Sequence, residues 1–160
     1  MSTPLPYRPN VGAALFDRRG LVLMAHRADQ PALAPGSWQM PQGGIDDGES
    51  PAAAVRRELR EEIGTDRAVI LAEHPAWLSY DLPVPLHGKW RGQTQKWFAL
   101  RFTGGDDEIR LDAGGEVEFD QWRWVPLAET PSLVVAFKQP IYRVLARDFA
   151  RWAVPEAGAR

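Results

Sequence analysis

The segment Gly43–Gly64 constrains the fold more than any other part of the chain, because it carries signals for both ends of a helix. Ser50 can accept hydrogen bonds from the first free N–H groups, and Pro51 costs little in the first turn, where its missing N–H would have no partner. Gly64 has no Cβ and so favours the left-handed conformation that ends many helices. These signals predict a helix over Pro51–Ile63, preceded by a loop rich in Gly and Asp.

Three carboxylates lie along one edge of this predicted helix: Glu58, Glu61 and Glu62. At about 100° per residue they fall within an arc of about 100°, beside the apolar stripe that runs from Ala52 to Ile63. Like charges three or four residues apart cost a helix roughly 0.2–0.5 kcal/mol per pair, so folding does not require them there. Oxygen ligands in this arrangement suit a hard cation such as Mg²⁺. Helix geometry alone leaves open a second interpretation, in which a solvated acidic face balances the arginines of the same helix.

The composition allows one ordinary domain and excludes several kinds of chemistry. The 160 residues are 44% hydrophobic and 25% charged, so we expect a single folded domain over residues 6–155 and a flexible tail over residues 156–160. The chain has no cysteine, which excludes disulfide bonds, cysteine-bound zinc, iron–sulfur clusters and thiol nucleophiles. No apolar run approaches the roughly 20 residues that span a bilayer, and the first residues do not have the pattern of a signal peptide. We therefore expect a cytoplasmic protein with no membrane association.

The charge balance argues against an extended nucleic-acid surface. The formal net charge is −2, whereas proteins that coat nucleic acid through many phosphate contacts are strongly basic. We therefore expect any nucleic acid to be held only locally.

The remaining apolar runs predict a mixed sheet between helices, and hence an α/β fold. Val11–Phe16 and Leu21–Ala25 flank the turn-rich segment Asp17–Gly20 and predict a β-hairpin. Apolar residues at helical spacing predict a second helix within Leu133–Trp152, with Pro140 in its first turn. Further strands are predicted at Trp38–Pro41, Ala68–Ala72, Ala76–Tyr80, Gln95–Phe102 and Trp122–Val125.

Nine positions at fixed spacing resemble the Nudix box. Eight of them match: Gly43, then Glu49 after five residues, Arg57-Glu58-Leu59 after seven more, then Glu61-Glu62 and Gly64, while the ninth is position 65. A single position departs, because Thr65 stands where the family usually has an aliphatic residue, and this removes no ligand. On this resemblance the chain is identified as a member of the Nudix hydrolase family. Membership implies an α/β/α sandwich with a mixed β-sheet, and hydrolysis of a nucleoside diphosphate linked to another group.

The resemblance also implies a metal site, with Mg²⁺ or Mn²⁺ as cofactor and two or more ions. The residues implied in catalysis and metal binding are Glu58, Glu61 and Glu62, with the Gly43 carbonyl as a further ligand and Glu49 and Arg57 in support. Arg57 lies one turn before Glu61 and can hold that carboxylate in one orientation. Glu58 is the candidate general base, although the sequence does not divide the roles among the three glutamates.

Segments outside the box resemble a narrower group, the bacterial RNA pyrophosphohydrolases, together with the closely similar plant-type dinucleoside polyphosphate hydrolases. The segments that carry this likeness are Tyr7–Gly12, Trp38–Gly44, Trp77–Pro83, Gln95–Phe98, Phe119–Trp124 and Val135–Lys138. The likeness implies removal of pyrophosphate from the 5′-triphosphate end of RNA, which initiates mRNA decay, and hydrolysis of dinucleoside polyphosphates as an additional activity. The shared motifs leave open an alternative in which a dinucleotide such as diadenosine tetraphosphate is the main substrate.

The same likeness implies further site residues. Glu118 would complete the metal site, with Glu116 as the fallback, and Phe137 would stack on a nucleobase, which contributes about 1–3 kcal/mol whatever the base. The other implied substrate contacts are the phosphate clamps Arg8, Arg27, Lys96 and Lys138 and the base-side residues Ser37 and Tyr80. Taken singly, each of these cations is an ordinary surface charge, and Phe137 is an ordinary core residue. Four tryptophans are interpreted as core packing: Trp77, Trp97, Trp122 and Trp124.

Two functions of other classes are alternatives to hydrolysis. A non-catalytic binding module with the same fold is expected to have lost one or more of the box carboxylates, and none is missing here. A regulatory calcium site at Asp46–Glu49 is excluded, because the alternating acidic ligands and the distant Glu of an EF-hand loop are absent. The sequence does not indicate the oligomeric state.

Overall fold

The computed structural model describes residues 4–158. In this range the strands are β1 (Tyr7–Phe16), β2 (Val22–Arg27), β3 (Trp38–Gln39), β4 (Gln42–Gly44), β5 (Ala68–Glu73), β6 (Leu78–Asp81), β7 (Gly92–Phe102) and β8 (Phe119–Val125). The helices are α1 (Pro51–Ile63), α2 (Thr130–Leu133) and α3 (Gln139–Asp148). Of the predicted tail, residues 159 and 160 lie outside the described residues, while the N–H of Glu156 donates to the carbonyl of Arg18 (2.7 Å).

The strands form one mixed sheet with β1 and β7 at its centre. The main order is β3-β2-β1-β7-β5, while β8 pairs with β2, β4 with β1 and β6 with β7. β1 and β7 run parallel from Tyr7–Gly92 to Phe16–Arg101, and the other strand pairs of the described chain are antiparallel. Parallel neighbours need a long crossover. The chain between β1 and β7 provides it and carries α1.

Helix α1 begins and ends where the sequence predicts. The Ser50 hydroxyl accepts a hydrogen bond from the N–H of Ala53 (3.1 Å), and Gly64 adopts a left-handed φ of 76°. Along its inner face, Val55, Leu59 and Ile63 are buried against one side of the sheet. Burying a side chain of this size stabilises the fold by about 1.5–3 kcal/mol, so this face fixes the helix on the sheet.

Helix α3 covers the opposite side of the sheet. Alternate residues of β1 face the two layers: Leu15 packs in the cluster with α1, and Phe16 packs in the cluster with α3. The Tyr142 ring of α3 meets Trp97 edge to face, and its hydroxyl accepts a hydrogen bond from the N–H of Met40 (2.8 Å). The architecture is an α/β/α sandwich, as the resemblance implies.

Two predicted elements are wrong in part. The predicted hairpin is reduced to one pair, Phe16–Val22, because β1 pairs with β4 instead over Asn10–Gly12. The helix predicted within Leu133–Trp152 is present with Pro140 in its first turn, but it spans only Gln139–Asp148, and Val134 before it is extended and forms a bridge to Ser37. The chain after the bridge turns through a 3₁₀ segment at residues 136–138 before α3 begins.

The prediction that all four tryptophans are core is also wrong for one of them. Trp97 is fully buried and Trp122 and Trp124 are half-buried, but Trp77 is 46% exposed. Trp77 stands just before β6, where its ring lies 5.8 Å from the Nζ of Lys96. In the described residues no helix combines the length and the apolar character needed to cross a membrane.

Candidate active site

Strand β4 lies directly against the acidic edge of α1, and Gly43 makes that approach possible. A Cβ at position 43 would overlap the carboxylate of Glu58, so only glycine leaves room for it. The N–H of Gln42 donates to Glu62 Oε2 (3.0 Å). The loop and helix are therefore interlocked, with the two inner glutamates of the helix held beneath the strand.

Arg57 organises the carboxylates around it. Its Nε and Nη2 donate to the two carboxylate oxygens of Glu49 (both 2.8 Å), and Nη1 donates to Glu58 (2.8 Å) and Glu61 (3.2 Å). Nη2 also donates to the carbonyl of Gly44 (2.8 Å). The bidentate contact with Arg57 lowers the pKa of Glu49 to about 2. Arg57 and Glu49, the predicted supporting pair, thus link the loop to the helix, and Arg57 orients Glu58 and Glu61.

The inner glutamates are buried, and burial favours their protonated forms. It raises the pKa of Glu58 to about 7, although the guanidinium of Arg57 opposes this. Glu62 is only 5% exposed, and burial raises the pKa of its carboxyl well above its usual range, with the charges of Glu58 and Glu118 adding to the effect. A cation here would reverse both causes, because it favours the ionised carboxylates. The electrostatics of the edge therefore fit a metal ion.

The ligand atoms available at this edge also fit a hard divalent cation, although the described side chains do not surround a single point. Glutamate oxygens and the Gly43 carbonyl are the ligand types that Mg²⁺ and Mn²⁺ prefer. Within residues 4–158, no three acidic, His or Cys side chains already surround one point closely enough to hold an ion. Arg57 donates to one oxygen of Glu58 and to one of Glu61.

Glu118 stands between two clefts. The smaller one, of about 290 Å³, is lined by Glu61, Glu62, Glu116 and Glu118 with Leu111 and Gly114, and we call it the acidic cleft. The larger one, of about 470 Å³, is the main cleft, and Glu116 and Glu118 line it too. The loop that carries Glu118 and its fallback Glu116 thus adjoins the helix edge, as the resemblance implies for a metal ligand.

The main cleft contains four of the predicted substrate residues. They are Arg27, Tyr80, Phe137 and Lys138. The rings of Tyr80 and Phe137 lie 5.7 Å apart between centroids and form an aromatic wall. The Nζ of Lys138 donates to Gln39 Oε1 (3.2 Å), and burial together with the charge of Arg27 lowers the pKa of Lys138 to about 8. The cleft therefore joins an apolar wall to two cationic groups.

Three other predicted substrate residues do not line this cleft. Ser37 is only 1% exposed, and its hydroxyl donates to the carbonyl of Ala34 (2.8 Å). The Lys96 ammonium lies over Trp77, and the Arg8 guanidinium occupies the space that a side chain at Gly44 would need. The roles of Arg8 and Lys96 in substrate binding remain predictions. The geometry of the cleft does not support the predicted role of Ser37.

Behind the cleft lies a buried network of side-chain amides that the sequence did not predict. The Trp97 indole N–H donates to Gln95 Oε1 (3.0 Å), and Gln95 Nε2 donates in turn to Asn10 (2.9 Å) and to the Oε1 atoms of Gln42 (3.2 Å) and Gln93 (3.3 Å). Because an indole N–H can only donate, the oxygen of Gln95 faces Trp97 and its NH₂ group faces the other amides. The Gln93 oxygen also accepts from Tyr80 (2.6 Å), which leaves its NH₂ group for the main cleft that it lines. The sequence signal that could have predicted this network is the alternation of Gln93 and Gln95 along β7.

Comparisons with known proteins give matches over most of the chain. The NUDIX domain model matches residues 6–147. The RNA pyrophosphohydrolase of Acidiphilium cryptum is 60% identical over 156 residues, covering 95% of both chains, and that of Gluconacetobacter diazotrophicus is 58% identical over 160 residues, covering 94% of this chain and 96% of the other.

Solved structures show the same fold at low identity. The dihydroneopterin triphosphate pyrophosphohydrolase of E. coli aligns with a TM-score of 0.68 at 17% identity, over 91% of this chain and 99% of that one. An Ap4A hydrolase of C. elegans aligns with a TM-score of 0.64 at 19% identity, over 90% of this chain and 98% of that one.

Proposed function

The chain belongs to the Nudix family, and from this premise we propose that it removes pyrophosphate from the 5′-triphosphate end of RNA, the step that initiates mRNA decay. Relatives named RNA pyrophosphohydrolase match at up to 60% identity over 95% of the chain. Every box carboxylate is present and held in the loop–helix arrangement. We propose that one domain over residues 6–155 carries the activity, in the cytoplasm.

The observation that carries the proposal is the position of Glu118 on the wall between the acidic cleft and the main cleft. A nucleotide stacked at Tyr80 and Phe137 would extend its phosphates past Arg27 and Lys138 toward the glutamates. The substrate thus needs a base at one end and several phosphates at the other. The triphosphorylated end of an RNA has both.

We propose that Glu58, Glu61, Glu62 and Glu118, with the Gly43 carbonyl, hold two or more Mg²⁺ or Mn²⁺ ions. When bound, such ions neutralise charge on phosphate oxygens and make an attacking water more acidic. Glu58 is our candidate for the group that takes the proton from that water, because it is an inner glutamate with one oxygen already fixed by Arg57. Arg27 and Lys138 would donate hydrogen bonds to the phosphate chain, with Arg8 and Lys96 as outer clamps. Ser37 is retained only through the resemblance.

Hydrolysis of dinucleoside polyphosphates is proposed as a second activity of the same site. Such a substrate likewise offers a base followed by a run of phosphates. The aromatic wall of Tyr80 and Phe137 would hold one of its two bases. Relatives of up to 60% identity are named RNA pyrophosphohydrolase, which favours RNA as the principal substrate.

A comparison of substrates tests the proposal. Triphosphorylated RNA, diphosphorylated RNA and diadenosine tetraphosphate are supplied at equal concentration with Mg²⁺, and product release is followed for the wild type and the Glu62→Gln variant. We expect triphosphorylated RNA to be hydrolysed fastest, with pyrophosphate as product, and all turnover to fall in the variant. Fastest turnover of the dinucleotide would reverse the order of the two activities, and no turnover of any substrate would refute both.

A further inference from the structure

His26 is a fully buried histidine whose two ring nitrogens both face oxygen acceptors. Nδ1 lies 2.6 Å from Asp120 Oδ1, and Nε2 lies 3.1 Å from the carbonyl oxygen of Pro31. A carbonyl oxygen and a carboxylate oxygen both accept hydrogen bonds, and either ring nitrogen can donate when it carries a proton. The ring is also packed edge to face on Trp38, with centroids 5.3 Å apart. It therefore connects two segments that are far apart in the sequence.

The first of these segments is a β-bulge in β8. The pairing of β2 with β8 passes from His26–Gln121 to Arg27–Phe119, so Asp120 has no partner residue across the ladder. A bulge adds a residue to one strand, bends it and changes the direction of the neighbouring side chains. Here the extra residue is the one whose carboxylate bonds to His26, and the bond fixes the bulge against β2.

The bulge leads directly to Glu118. Glu118 lies two residues before Asp120, and its carbonyl accepts a hydrogen bond from the N–H of Ala28 (2.8 Å). The second segment, held through Pro31, follows Arg27 and Asp29, which are hydrogen-bonded to each other (2.7 Å) and line the main cleft. One buried ring thus joins the loop that carries Glu118 to the loop that forms the facing wall.

We propose that His26 is a positioning residue that sets the place of Glu118 relative to α1, through its hydrogen bond to the Asp120 bulge. This inference rests on the proposed function, since it concerns the same metal site. His26 touches neither the glutamates nor the cleft. Loss of a group that orients a metal ligand weakens metal binding by about 10- to 100-fold, so we expect an effect of at least about tenfold on cation affinity.

Two substitutions of His26 separate positioning from simple packing. In His26→Asn the amide nitrogen stands near the place of Nδ1 and retains the donor to Asp120, whereas in His26→Gln it stands near the place of Nε2 and retains the donor to Pro31. Both variants lose the ring and its contact with Trp38, so they share the same packing defect. Asp120→Ala removes the acceptor from a side chain that is 45% exposed and so should still fold.

The experiment measures the Mn²⁺ dissociation constant by calorimetry, the melting temperature in EDTA, and kcat and KM at saturating Mg²⁺. We expect His26→Gln and Asp120→Ala to raise the Mn²⁺ dissociation constant by about tenfold or more, and His26→Asn to stay near the wild type. KM for RNA should change little in all three variants. Glu73→Ala, an exposed acid on β5 at the opposite edge of the sheet, is the control.

The possible results distinguish failure of the positioning role of His26 from failure of the proposed function. Equal Mn²⁺ affinity in the Asn and Gln variants, or a wild-type affinity in Asp120→Ala, would overturn the positioning role while leaving the hydrolase intact. A wild-type protein that binds no Mn²⁺ and hydrolyses no RNA would instead refute the proposed function. A loss of affinity that only follows the melting temperature would assign His26 to packing.

Discussion

Arg57 donates from all three of its guanidinium nitrogens, and this explains how several acids can stand together on one short helix. Glu49, Glu58 and Glu61 each accept from it, so the like charges that would otherwise repel share one cation. Glu62 has no such contact and accepts instead from the N–H of Gln42. At the scale of the residue, Arg57 therefore orders Glu49, Glu58 and Glu61, while Glu62 is held by the backbone of β4.

Replacing an inner glutamate by glutamine tests the metal site without changing its shape. In Glu58→Gln and in Glu62→Gln we expect turnover to fall by at least about a hundredfold, because the proton acceptor or the cation ligand is lost. The melting temperature in EDTA should stay equal or rise, since a buried charge has been removed. Rates at saturating Mg²⁺ and thermal unfolding check the two effects, with Glu73→Gln as the control. Near-normal rates in both variants would contradict a metal-binding role.

Phe137 is half-buried and lies beside Tyr80 in the wall of the main cleft. We expect Phe137→Ala to raise KM for RNA and for dinucleotides by about tenfold or more, in line with the loss of about 1–3 kcal/mol of stacking. The matched control is Phe149→Ala, which removes a buried ring and should cost about 3–5 kcal/mol of stability with little change in KM. If Phe137→Ala instead destabilises as strongly as the control, Phe137 belongs to the core.

At the scale of the element, α1 combines a core face with an edge that resists ionisation. Its apolar face packs on the sheet, while burial raises the pKa of Glu58 on the adjoining edge to about 7. Packing of the apolar face thus stabilises the folded helix, whereas the buried carboxylate charges destabilise it. The balance between the two must depend on pH when no cation is bound.

We therefore expect the metal-free protein to lose stability between pH 5 and pH 8. The pKa of Glu58 is higher in the folded chain than its ordinary value of 4.5, so the folded state binds the proton more tightly, and the stabilisation is lost as pH rises through about 7. Carboxyls with lowered pKa values, such as Glu49 at about 2, titrate below this window.

Urea unfolding in EDTA at the two pH values measures the effect. Glu58→Gln should show a smaller loss than the wild type, and Mg²⁺ should restore stability mainly at pH 8. An unchanged slope in Glu58→Gln would show that this carboxyl does not cause the loss.

At the scale of the whole molecule, the clefts lie side by side and the net charge is −2. We propose that the protein contacts only the first few nucleotides of an RNA, because the net charge is −2 and the sequence has no basic tract to hold the rest. The logarithm of the affinity should then fall with salt equally for a trinucleotide and for a long transcript, since each further phosphate contact would add about −0.7 to the slope.

Binding of the two RNAs over a range of salt concentrations, in the presence of Ca²⁺ to slow turnover, provides the measurement. Equal slopes are expected. A slope that becomes steeper with length would reveal an extended RNA channel.

The sequence by itself determined helix α1 and the shared edge of Glu58, Glu61 and Glu62. Both depend on neighbours within a few residues: the Ser50 cap, the Gly64 end and the 3.6-residue turn are local properties of the chain. The resemblance added Glu118, Phe137 and Lys138 from motifs of comparable length. These are the parts in which local preference and the final fold agree.

Only the tertiary structure decided the extended backbone at Val134, the burial of Ser37, the amide network at Gln95 and the bond between His26 and Asp120. Each depends on a strand or loop that is distant in sequence, and periodicity carries no record of which segments become neighbours. Val134 is extended because its backbone pairs with Ser37 across the fold. A different long-range pairing, that of β2 with β8, contains the bulge that places Asp120 beside His26.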